Sequence, residues 1–139
     1  MRPTQRIRLL KIGGKQAAEK RQVMTHDITL KIALDRATLL GPGKADLLEG
    51  IRDNGSIAAA GRRMSMSYKR AWQLIGTLNA CFAEPVVVVT RGGSAGGGAE
   101  LTPTGHAVLA SYRRMQELTA WAVSTEVAAL DRLMKPTHD

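Results

Sequence analysis

A chain of 139 residues has room for one compact domain and an appended element, and its apolar clusters, broken by Arg, Lys or Gly, fall short of a membrane-spanning helix. A single cysteine, Cys81, excludes an internal disulfide and a multi-cysteine zinc site, while His26, His106 and His138 show no metal-ligand spacing. Twenty Lys and Arg against twelve Asp and Glu leave a formal charge of +8, which favours a polyanionic partner.

Residues 1–27 form a basic leader in which Arg2, Arg6, Arg8, Lys11, Lys15, Lys20 and Arg21 are set against only Glu19 and Asp27. It has no hydrophobic period and reads as disordered. It also lacks the apolar stretch of a secretory signal, which points to a cytoplasmic protein. Two readings of the leader stay open: Met24 is the translation start, or the segment is a flexible arm that adds phosphate contacts.

From Ile28 to Leu34, Ile28, Leu30, Ile32 and Leu34 alternate with Thr29, Lys31 and Ala33, the period of a half-buried strand. Gly41-Pro42-Gly43 interrupts the chain. A helix is predicted over about 44–53, burying Leu47, Leu48 and Ile51 and stopped by Asn54-Gly55. Ser56 is placed to cap a short second helix through about Met64, and Ser67 a third from Tyr68 to about Phe82, across a Ser65-Met66-Ser67 turn. Ala71, Ile75, Leu78 and Phe82 recur on one buried face, with Trp72 beside them as a core residue. The opposite face carries Lys69, Arg70, Gln73 and Thr77. Cations and an amide in the first turns of a helix can reach phosphates and base edges together.

Glu84-Pro85 closes the third helix, Val86 to Val89 reads as a strand, and a Gly-rich turn beginning at Arg91 leads to a short strand at Ala99 to Leu101, making a hairpin. Thr102 is a candidate N-cap and Pro103 the first residue of a helix running to about Met134. One of its apolar stripes holds Val108, Tyr112, Met115, Leu118 and Ala122; another holds Val123, Val127, Leu130 and Met134, and Trp121 adds apolar area. One domain can hardly cover both stripes along ~45 Å of helix, so burial against a second copy is expected.

The fold class expected is mainly α with a small β component: a leader over 1–27, a winged helix-turn-helix over 28–102, and a long dimerisation helix over 103–135. The expected function is sequence-specific binding of double-stranded DNA as a transcription regulator, by a homodimer on an inverted repeat. Ser56 and Arg62 or Arg63 would position the backbone. Ser67, Tyr68, Lys69, Arg70 and Gln73 would enter the major groove with Thr77 on the same face, Lys69, Arg70 and Gln73 reading bases, and Arg91 would probe the minor groove or its phosphates. Val108, Tyr112, Met115, Leu118, Trp121, Ala122, Val127 and Leu130 would form the dimer interface. Each role has a plainer rival: Ser56 and Ser67 as caps only, Tyr68 as a packing residue, Lys69 and Arg70 as a solvated face. The Gly-rich loop has neither the Gly-Lys-Ser/Thr ending of a P-loop nor the order of a dinucleotide fold. With no acid/base pair, activated nucleophile or metal cluster, neither an enzyme nor a cofactor is expected.

The run Gly55-Ser56-Ile57-Ala58-Ala59-Ala60, then Ser67-Tyr68-Lys69-Arg70-Ala71-Trp72 with Leu78-Asn79, resembles the N-terminal domain of molybdate-responsive ModE regulators. The Gly-rich run after Arg91 and Leu101-Thr102-Pro103-Thr104-Gly105 fit the same pattern, and the domain is similar, more distantly, to the DNA-binding half of LysR-type regulators. The resemblance covers about residues 28–130. It implies a recognition helix over 67–82, a wing over 86–101 and a C-terminal dimer helix. ModE regulators also carry a C-terminal oxyanion-binding region; with Asp139 as the last residue, none is expected here, which argues against direct molybdate sensing. Two alternatives remain: an interaction protein that modulates a longer regulator by heterodimerisation, and a direct sensor of molybdate or another oxyanion at the dimer interface.

Overall fold

Regular strand pairing at the N-terminal end is confined to β1 (Ile32–Ala33) and β2 (Leu39–Leu40), antiparallel with Ile32 opposite Leu40 and Ala33 opposite Leu39. The computed structural model describes residues 27–90 and 98–136. The period of two survives as burial, since Ile28 and Leu30 lie in the interior. The strand expected over Ile28–Leu34 is nevertheless shorter, because its partner offers only two residues before Gly41 and Pro42. Asp35 turns the chain back: its carboxylate accepts from the amides of Ala37 and Thr38, both at 2.8 Å, a short-range side-chain turn.

Helix α1 (Pro42–Asn54) starts on a proline, whose missing N–H costs nothing there, and buries Leu47, Leu48 and Ile51. Gly55 ends it at φ 68°, a left-handed conformation suited to glycine, with its N–H donating to the carbonyl of Ile51. Ser56 caps α2 (Ile57–Arg63), its hydroxyl accepting from the amide of Ala59 at 3.2 Å. The two helices cross closely: a Cβ added to Gly50 would stand 3.0 Å from that of Ala60. After the Met64–Ser67 turn, Ser67 caps α3 (Tyr68–Cys81) by accepting from the amide of Arg70.

Strands β3 (Val87–Thr90) and β4 (Gly98–Leu101) pair antiparallel, with Val87 opposite Leu101 and Thr90 opposite Gly98. Thr102 caps α4 (Pro103–Ala122), its hydroxyl accepting from the amide of Gly105. Leu47, Leu48, Ile51, Ile75, Leu78, Val86 and Tyr112 are the largest fully buried side chains. Residues from α1, α2, α3, the β3–β4 hairpin and α4 thus share one core.

Two expectations about the C-terminal segment need correction. The single helix to Met134 is two, α4 and α5 (Ser124–Leu133), separated at Val123, whose φ −101° and ψ 3° leave the helical region. Val123-Ser124-Thr125 is a run of weak helix formers, and the Ser124 hydroxyl donates to the carbonyl of Trp121, competing with the helical pattern. The first stripe, moreover, packs inward. Tyr112 is fully buried and its hydroxyl donates to the carbonyl of Leu30 at 2.7 Å, while Val108 and Met115 pack against the same core. These three residues, expected at a dimer interface, are therefore occupied within the chain, because α4 lies against α1 and β4 over this length. Further along, Leu118, Trp121, Leu130, Leu133 and Met134 are exposed, Trp121 by 81% and Leu133 by 83%.

Candidate nucleic-acid interface

Helix α3 is held by the burial of Ala71, Ile75 and Leu78. At 100° per residue, that anchoring turns Lys69 and Gln73 almost directly outward, with Arg70 to one flank and Tyr68 and Trp72 to the other. Lys69, Arg70 and Gln73 are exposed, and Thr77 is half-buried with its hydroxyl donating to the carbonyl of Gln73. Tyr68 is 53% exposed and meets Trp72 edge-on, with ring centroids 6.1 Å apart. Trp72, expected in the core, is 40% exposed. The inward position belongs to Ala71, small enough to approach Gly61, and Trp72 lies one residue further round the helix.

The turn before α3 is set by Ser65 at φ 55°, the one non-glycine residue with positive φ among those described. Ser56 is half-buried with its hydroxyl engaged in the cap; Ser67 is exposed and likewise engaged. Arg62 is exposed with no ion-pair partner among the described residues. Arg63 differs: it meets Asp53 at 3.3 Å and Glu49 at 4.0 Å. Arg91, expected at the hairpin tip, lies outside the described residues, as does the rest of 91–97.

Charge is segregated. Asp46, Glu49 and Asp53 on α1 are engaged by Arg113, Arg52 and Arg63, with Arg113 to Asp46 at 2.7 Å. The guanidinium of Arg52, and then that of Arg63, hold the Asp53 carboxyl below its ordinary range. No described carboxylate pairs with Lys69 or Arg70. The cationic face of α3 is left open to solvent, where an anion can meet it without displacing a protein partner.

Sequence reasoning missed two supports. Asn79 reaches from α3 to the next segment, its carbonyl oxygen accepting from the amides of Val86 (2.8 Å) and Val87 (3.3 Å) and its amide donating to the carbonyl of Val87. It fixes where the hairpin leaves α3; an Asn in the last turn of a helix, just before Glu84-Pro85, was the available signal. Gly105 lets α4 start against the backbone, since any Cβ there would run into the carbonyl of Val86. Cys81 is half-buried, and burial together with the Asp35 carboxylate beside it pushes its thiol up, which keeps it protonated and unreactive at neutral pH. Among the described residues no His, Cys, Asp and Glu cluster could hold a metal ion, and no helix is long and apolar enough to cross a membrane.

No family model matches the chain. Several known proteins are similar to it. The molybdenum-pterin-binding protein MopB of Rhodobacter capsulatus is 41% identical over 86 residues, covering 62% of this chain and 32% of that protein. The molybdenum transport protein ModE of Azotobacter vinelandii is 39% identical over 87 residues, 63% of this chain and 32% of that protein. The transcriptional regulator ModE of Haemophilus influenzae is 32% identical over 114 residues, 80% of this chain and 45% of that protein. The chain thus spans between a third and a half, roughly, of the curated relatives it matches, and by their names they are regulators and binding or transport proteins, not enzymes. Its homologues are ModE transcriptional regulators and Mop molybdenum-pterin-binding proteins, consistent with a ModE-type domain.

Proposed function

We propose that this chain is a DNA-binding unit of a transcription regulator linked to molybdenum, acting as a homodimer. The observation that carries the reading is the first two turns of α3, where the side chains of Lys69, Arg70 and Gln73 are exposed and have no partner among the described residues, while the carboxylates of α1 are engaged elsewhere. In this reading α2, its turn and α3 act as a helix-turn-helix. Helix α3 enters the major groove and the β3–β4 hairpin serves as the wing, with Arg91 at its tip. Ser56, Ser67, Arg62 and Arg63 position the backbone, and Arg63 must then share its charge with Asp53. Tyr68, Gln73, Thr77 and Lys69 face the bases, with Trp72 beside them as an added apolar surface. The relatives' names supply the link to molybdenum.

Dimerisation rests on the apolar side chains of Leu118, Trp121, Leu130, Leu133 and Met134, which are exposed among the described residues. Ala122 and Val127 lie in the same stretch and complete the surface. A two-fold dimer would present two copies of α3 about one DNA turn, ~34 Å, or a multiple of it, apart. Selection from a random duplex pool tests both halves together: recovery of an inverted repeat with that spacing is expected. A single ungapped half-site would remove the dimer, and no enrichment would remove sequence-specific binding. The same exposed apolar surface also fits a heterodimer with a longer regulator, which a monomeric chain in sedimentation would favour.

A further inference from the structure

Lys31, Lys44 and Arg70 come from three separate parts of the chain yet form one cationic surface beside α3. The stem of Lys31 lies over Gly41, where an added Cβ would stand 3.2 Å from its Cγ. Lys44 sits in the first turn of α1, its ammonium donating to the carbonyl of Leu39 at 2.8 Å. Helix α1 packs on α3, and Arg70, on one flank of α3, stands near enough for its charge to act on Lys44. The ammonium of Lys44 is held below its ordinary range first by burial, then by repulsion from Arg70 and from Lys31, so Lys44 feels both neighbouring charges. Among the described residues no carboxylate pairs with any of them, and the first turn of α1 holds no acid. Like charges gathered in this way oppose folding, and Lys44 also stands against the positive end of the helix dipole. An anion lying across the three relieves that repulsion.

The geometry points to Lys31, Lys44 and Arg70 as a clamp for the phosphodiester backbone of DNA, flanking the groove that α3 enters. This rests on the reading of α3 as a groove-entering helix, and it changes the expected role of Arg70. Lys69 and Gln73 point outward from the buried stripe and are left to read bases, whereas Arg70, on one flank of α3, holds phosphate. Loss of a phosphate contact weakens binding to all sequences alike, and loss of a base contact weakens discrimination.

The test measures equilibrium binding of the full chain to a 30-bp duplex carrying a selected site and to one of random sequence, across a chloride series. Lys31→Gln/Lys44→Gln is expected to make the slope of log K against log salt shallower by about 2, at roughly 0.9 per phosphate contact. The ratio of affinities for the two duplexes should stay unchanged. Lys31→Gln alone, an exposed change that does not threaten folding, should give about half that effect. An unchanged slope in these variants, with binding still lost in Lys69→Ala/Gln73→Ala, would overturn the clamp and leave the groove reading standing. A wild-type chain that binds neither duplex would overturn both. Competition by millimolar inorganic phosphate at constant ionic strength would also overturn the proposal, since it would mark a discrete pocket for free anions.

Discussion

Tyr112 ties the C-terminal half of the chain to its beginning, through a hydroxyl that reaches the carbonyl of Leu30 across 82 positions of sequence. Burial pushes its phenol up to about 12. The unfolded chain loses that proton near pH ~10, while the folded chain keeps it. The resulting stabilisation is therefore complete below about pH 10 and is lost as pH rises toward the folded value, a change of about 2 to 3 kcal/mol. Tyr112→Phe should remove this share of the alkaline instability and cost about 1 to 2 kcal/mol at neutral pH by depriving Leu30 of its donor; urea melts of both proteins at pH 7 and pH 11 compare the two. At Ser65, φ 55° places a side chain where the backbone prefers none. Ser65→Gly should raise stability by about 0.5 to 1 kcal/mol, read as a higher denaturant midpoint with unchanged slope. That Ser65 occupied a turn was legible from its Ser-Met-Ser setting. That Tyr112 faced inward was not, because an apolar stripe on a helix looks the same whether its partner is the chain's own core or another copy.

Among the elements, α3 was the most legible. Its cap, its buried stripe and its polar face follow from spacing alone, since Ser67, Ala71, Ile75 and Leu78 leave a single orientation. Trp72 was misplaced because hydrophobicity suggested burial where the helical angle decides it. The β3–β4 hairpin was legible as an element but not in its attachment, which Asn79 supplies through contacts seven and eight residues away. Asn79→Ala would strip the amide of Val86 of its acceptor in the interior. A loss of about 2 kcal/mol is expected, with amide exchange quickening at Val86 and Val87 before the rest of the chain. The shortening of β1 was hidden because it is set by the length of its partner strand, which Gly41 and Pro42 end, and the break at Val123 because it is set by local side-chain hydrogen bonding at Ser124 that hydrophobic periodicity does not register.

At the scale of the whole molecule, two surfaces stand out as uncovered among the described residues. One is apolar, along the end of α4 and α5; the other is cationic, along α3 and the first turn of α1. Trp121→Asp should convert a dimer to a monomer in sedimentation while leaving the melting temperature of the isolated chain nearly unchanged, because Trp121 is 81% exposed and contributes little to the core. A dimer that survives the change would place the interface elsewhere. The class, mainly α with two small sheets, was legible from the chain order of capped helices and the valine-rich hairpin. The division of the C-terminal stripes between core and surface was not, since it depends on how α4 docks on α1.

The central claim is that α3 is the DNA-reading element, and equilibrium binding to promoter fragments, comparing wild type with Lys69→Ala/Gln73→Ala, tests it most directly. The wild type should prefer particular fragments, and the variant, folded to the same extent, should lose most of that preference, about 1 to 3 kcal/mol for each base contact removed. A variant that discriminates among fragments as well as the wild type would contradict that claim.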